Sequence, residues 1–161
     1  MLRCGISSNI ANLQRLNAQY IWIPNMNQIR PKPEVIEQKN KFFENLISFY
    51  VTIEDYILEN IFNFKSKIGN DSKIYVPKEN IIKKHIFCEN MFPYNVCKHT
   101  HHYVMWYTYQ PIRYSQINND ITECLQNKLG HHQFDYVWYK NPKMTISESY
   151  HIQVFWHEIL I

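Results

Sequence analysis

Residues 101–109 read HHYVMWYTY, and this is where the chain changes its period. Up to here the apolar residues recur at helical spacing. In this stretch they alternate, among β-branched and aromatic residues that suit a pleated surface, so the segment is a strand that Pro111 ends. Downstream, SQINNDITECLQNKLG (115–130) returns to helical spacing, with Ser115 as cap, Ile117, Ile121, Cys124, Leu125 and Leu129 inward, and Gly130 as stop. FDYVWY (134–139) and YHIQVFWHEI (150–159) are two further strands, joined through a turn at Asn141 and Pro142.

Upstream, Ile36, Phe43, Leu46, Ile47 and Tyr50 mark a helix that starts at Pro33. Thr52 stands at a cap position three residues before Asp55, and Tyr56, Ile57 and Ile61 carry a second helix to about Phe64. The two helices form a hairpin over 33–64. Residues 65–100 form a loop-rich segment, whose start KSKIGNDSK contains Gly69 and is the expected hinge. Residues 1–32 are an N-terminal arm with a short helix capped by Ser8. The fold class that follows is α+β over one domain, 1–161. The N-terminal helical hairpin packs on a small, mostly antiparallel sheet, with one further amphipathic helix.

Composition narrows the function. A net charge of +3 in 161 residues is too small for the dense basic stripe of a duplex-DNA binder. Three glycines, at 5, 69 and 130, cannot build a GxGxxG turn or a P-loop, so phosphate chemistry would have to use side chains. Cys4, Cys88, Cys97 and Cys124 are scattered, and the N-terminus lacks a secretory apolar core, which points to a reduced, cytoplasmic setting. No run approaches the length of a membrane span.

All eight histidines follow Lys84. One group, CKHTHH (97–102), enters the first strand; His151 and His157 lie on the last. Cys97, His99 and His101, with Cys88 as a fourth ligand, make a weak zinc alternative whose spacing fits no standard motif. If the two strands are neighbours, His102, Trp106, Trp138, His151 and Gln153 form a His/aromatic patch. Its expected ligand is a nucleotide or other phosphorylated small molecule, with Asn141 and Ser149 also in the binding set. His151 is then the nucleophile or base, since neutral imidazole reacts near pH 7. No cofactor is named by the residues.

Two partner readings stand beside this one. Tyr103, Trp106, Tyr107, Tyr109, Tyr136, Trp138, Tyr139 and Trp156 crowd three strands and could stack single-stranded nucleic acid. Alternatively, the aromatic surface serves a non-catalytic module for a host factor or for oligomerisation.

The strand HIQVFWH, preceded by YKNPKMTISES, resembles the ending of the histidine-triad nucleotide hydrolases and transferases. In one register of that resemblance His151 keeps the nucleophile's place, Ser149 stands where the first histidine would be, and Gln153 becomes a phosphate-binding amide. In the other, Gln153 replaces the nucleophile. Over about 51–156 the chain also resembles a domain-of-unknown-function family of fungi, other eukaryotes and large DNA viruses. Phe92, Pro93, Tyr94, His102, Trp106, Trp138, Asn141, Pro142, His151 and Phe155 carry that likeness. Gln153 departs from it, replacing a second histidine of the ending. The resemblance implies a viral source and, with it, the host cytoplasm, but no activity.

Overall fold

The computed structural model describes residues 31–96, 99–140 and 149–159. The expected arm helix and the turn at Asn141 and Pro142 lie outside them. Helix α1 (Pro33–Phe49) begins with proline in its first turn, where no amide proton is needed, and buries Phe43 and Leu46. An extended Tyr50 ends it.

Helix α2 (Ile53–Asn60) is capped as its sequence requires: Thr52 Oγ1 accepts from the Asp55 amide at 3.1 Å. Asp55 does not serve only the cap. Its Oδ1 accepts from the Val76 amide at 2.9 Å, pinning the hairpin to a distant segment. The helix stops at Asn60 rather than Phe64. Beyond it Asn63 turns the chain at φ 60°, so that Phe62 enters the core and stacks on Phe64.

The expected hinge is a closed structure. Strands β1 (Lys67–Ile68) and β2 (Ile74–Tyr75) pair antiparallel. The connecting turn is held by the Ser72 amide on the Gly69 carbonyl and by Asp71 Oδ1, which accepts from the Lys73 amide. A 3₁₀ turn (Lys78–Asn80) follows, then strand β3 (His85–Glu89), which sequence reading assigned to the loop-rich segment. At five residues on a sheet edge, four half-buried and the last exposed, β3 is too short for alternation to identify it.

The remaining elements are β4 (His101–Tyr107), α3 (Tyr114–Leu129), β5 (Gln133–Tyr139) and β6 (Tyr150–Ile159). Helix α3 starts one residue before the expected cap, so Ser115 lies inside the first turn and Arg113 precedes the helix without a side-chain cap. The four-stranded sheet runs β3-β4-β6-β5, antiparallel throughout. With the hairpin helices on one face and α3 on the other, this is the α+β arrangement that the periodicities imply.

Register sorts the side chains into two layers. Tyr103, Met105, Tyr107, Phe134, Tyr136, Trp138, Ile152, Val154 and Trp156 meet Ile117, Ile121 and Leu125 of α3. His102, Val104, Trp106, Val137, Tyr139, His151, Gln153 and Phe155 take the other face, where Val104 and Trp106 pack with the hairpin helices.

Gly130 closes α3 at φ +63°, where its amide reaches the Gln126 carbonyl. No neighbour would touch a Cβ there, so the glycine is needed for backbone conformation alone. Gly130→Ala should therefore cost about 1–2 kcal/mol, a fall of about 3–6 °C in melting temperature. An unchanged midpoint in calorimetry would show that the backbone relaxes freely. No helix among the described residues is long and apolar enough to cross a membrane.

Candidate functional site

The second-layer face carries the buried polar residues. Strand pairing sets Trp106 opposite His151 and Val104 opposite Gln153, and places His102 beside Phe155. His102 stacks on Phe155 at 4.3 Å and 16°.

Hydrogen bonds fix its tautomer. The Tyr94 amide donates to Nδ1 at 2.9 Å, so Nε2 carries the proton and donates to Gln153 Oε1 at 2.6 Å. Burial pushes the imidazolium down to about 3, against a smaller opposing contribution from the Gln153 carbonyl. His102 is thus a neutral, fully used ring. It positions its neighbours and has no nitrogen left for chemistry.

Gln153 Oε1 also accepts from Asn90 Nδ2 at 3.0 Å, and Asn90 Oδ1 in turn accepts from the Phe92 amide at 2.8 Å. Asn90 Nδ2 also lies 3.4 Å from His102 Nε2, but both atoms carry protons in this arrangement, so that approach is not a bond. The Gln153 amide is held from its oxygen side, and no described residue takes its Nε2 protons.

His151 is arranged differently. Its Nδ1 donates to the Ser149 carbonyl at 2.8 Å, so Nε2 is the unprotonated nitrogen. The ring lies 4.6 Å from that of Trp106. Burial lowers its basicity; the Ser149 carbonyl opposes this, and the charges of Lys140 and Lys39 lower it further. His151 is therefore a neutral acceptor or base.

Both residues line a cavity of about 350 Å³ between α1 and the sheet, bounded also by Lys39, Phe43, Phe92 and Trp106. That volume suits a small organic ligand. His151 and Gln153 are 6% and 7% exposed, so their uncommitted nitrogens belong to buried side chains on the cavity wall.

The structure thus brings His102, Trp106, His151 and Gln153 together, and Ser149 joins them through its backbone carbonyl. Trp138 is excluded. Two positions from Tyr136 on β5, it lies on the α3 face, where its Nε1 donates to Asn118 Oδ1 at 2.8 Å. Asn141 lies outside the described residues, as does Cys97.

The zinc alternative separates for the same reason of parity. Cys88 pairs with Val104 on the cavity face, whereas His101 pairs with Trp156 and stacks on it at 4.2 Å on the opposite face. His99 is exposed, and no group of three or more metal-binding side chains occurs among the described residues.

The aromatic platform also changes meaning. Of its eight rings all but Tyr109 are buried, because the two helical layers cover both faces of the sheet; of those seven Trp106 lines the cavity, and together they form no open platform for a strand of bases. Sequence reading missed Asn90, Lys39 and Phe43 as site residues. Asn90 follows the unrecognised β3, and the two helix residues read only as a polar position and a core position.

No family model matches the chain, and no curated protein does. A solved structure described as the crystal structure of HTC1 aligns with 92% of this chain and 80% of its own, at a TM-score of 0.49 and 12% identity. That likeness is too remote to carry function.

Proposed function

We propose that the cavity binds a nucleotide or a similar small phosphorylated ligand, with a flat ring among Phe43, Phe92 and Trp106 and a polar end at His151, Gln153 and Lys39. The observation that carries this reading is the pair of buried side chains on one wall, each with a nitrogen that no described residue uses. A ligand in the cavity would supply the partner for such groups. The His151 Nε2 lone pair also suits it to take a proton from a water or hydroxyl during hydrolysis, or to attack phosphorus.

The test is calorimetric titration and turnover with a panel of nucleotides, repeated with His151→Gln. The variant should weaken binding at least tenfold and abolish any turnover, while unfolding free energy changes by about 1 kcal/mol, the value of one neutral hydrogen bond. Equal losses of binding and stability would assign His151 a structural role. Because the folded-state pKa of His151 lies below the ordinary histidine value, affinity should be flat above pH 6.5 and change only in acid, as Nε2 takes up a proton.

A second reading rests on a different surface. Ile47, Phe49 and Val51 are 58%, 62% and 49% exposed at the corner between the hairpin helices. Such a patch favours a protein contact, without catalysis. Molecular mass by light scattering at two concentrations, with and without Phe49→Ser, tests its self-associating form.

A further inference from the structure

We infer that the ligand group seated against Gln153 is an oxyanion, a phosphate or a carboxylate, and that His102 and Asn90 impose this choice by locking the Gln153 amide with its NH2 toward the cavity. This deepens the small-ligand reading above and rests on it.

A glutamine side chain is ordinarily ambiguous, because a flip exchanges donor for acceptor at little cost. Here the flip is forbidden. Two N–H groups converge on Oε1, from His102 Nε2 at 2.6 Å and Asn90 Nδ2 at 3.0 Å. If the amide turned over, its NH2 would meet both donors, and both hydrogen bonds would be set donor against donor.

Each of those donors is itself fixed by the backbone. The Tyr94 amide holds His102 Nδ1 as an acceptor, and the Phe92 amide takes Asn90 Oδ1, so neither ring nor amide can reverse. The chain Tyr94 amide, His102, Gln153, Asn90, Phe92 amide consumes its own side-chain acceptors, so that the acceptor remaining on this wall is His151 Nε2. What it leaves over are N–H groups: two on Gln153 and the second on Asn90.

The other cavity groups agree. Lys39 lines the same cavity and brings a cation near His151. The Cys88 thiol is engaged by a hydrogen bond from Trp106. Glu89 borders the cavity, but it pairs with Tyr103, which places its side chain on the other face of the sheet. At Gln153 itself only donors are left over, which fit an acceptor-only group such as an oxyanion, and they reject a ligand that presents N–H at this point.

The test titrates the full chain with three probes that share a ring and differ at the polar end: phenyl phosphate, phenylacetate and phenylacetamide. At least one oxyanion should bind ten times or more tighter than the amide, and the tighter of the two identifies phosphate or carboxylate as the source. Gln153→Glu keeps the acceptor for His102 and Asn90 but removes the NH2, so it should erase the oxyanion preference while phenylacetamide still binds.

Asn90→Asp, at a less buried position, keeps the Phe92 bond and removes the other donor. It should lower oxyanion affinity several-fold, and it serves as the readout if Gln153→Glu does not fold. Equal binding of all three probes, or an oxyanion preference that survives in the folded variants, overturns the inference and leaves the cavity reading standing. Failure of every probe to bind would overturn both.

Discussion

Replacing His102 with leucine should lower the unfolding free energy by about 3 kcal/mol at pH 7, and by only about 1 kcal/mol at pH 5. The first figure follows from what the ring holds. His102 is fully enclosed, and its removal leaves the Tyr94 amide without an acceptor and Gln153 Oε1 with one donor in place of two. A stranded buried polar group costs about 1–3 kcal/mol, and imperfect filling of the ring's space adds to it.

The pH dependence has a definite sign. The folded-state pKa of about 3 lies below the ordinary value of 6.5, so the unfolded chain binds the proton more readily. The contribution to stability is fully present above pH 6.5 and is lost as pH falls toward 3. By pH 5 the wild type should have lost about 2 kcal/mol through this group, a loss that the leucine variant does not share. Urea unfolding at the two pH values measures both terms. A difference between the proteins that stays constant with pH would mean that His102 is not held neutral.

Trp138→Ala should cost about 4 kcal/mol, within the range for deleting a large buried aromatic residue. The indole is 1% exposed. It packs edge-on against Tyr114 at 5.4 Å and donates to Asn118, which also accepts from the Tyr136 hydroxyl at 3.2 Å. None of this touches the cavity. The gentler Trp138→Phe should therefore lower stability by about 1–2 kcal/mol through the lost hydrogen bond, yet leave the affinity of any cavity ligand within twofold. If Trp138→Phe weakens binding as much as His151→Gln does, the tryptophan belongs to the ligand site after all. The layer assignment would then be wrong.

The contrast between these residues shows what was legible. His102, Trp106, His151 and Gln153 could be grouped from sequence because strand alternation assigns each to a face, and pairing of β4 with β6 aligns the faces. Trp138 was misplaced because alternation fixes parity only within a strand. Which parity of β5 matches which parity of β6 depends on register, set by contacts between segments far apart in the chain. The zinc alternative failed on that point too, since Cys88 and His101 belong to strands whose relative register no local signal records.

Sequence by itself determined the three described helices to within a few residues, the inward residues of α3, the Thr52 cap, the Gly130 stop and the α+β class, because these depend on period and on backbone preferences within a few residues. Tertiary structure alone decided that β3 exists, that the aromatic rings are core rather than platform, and that Asn90 and the Phe92–Tyr94 backbone reach across to lock His102 and Gln153. Those features are hydrogen bonds and burial between segments up to 63 residues apart, and they form only when the layers close.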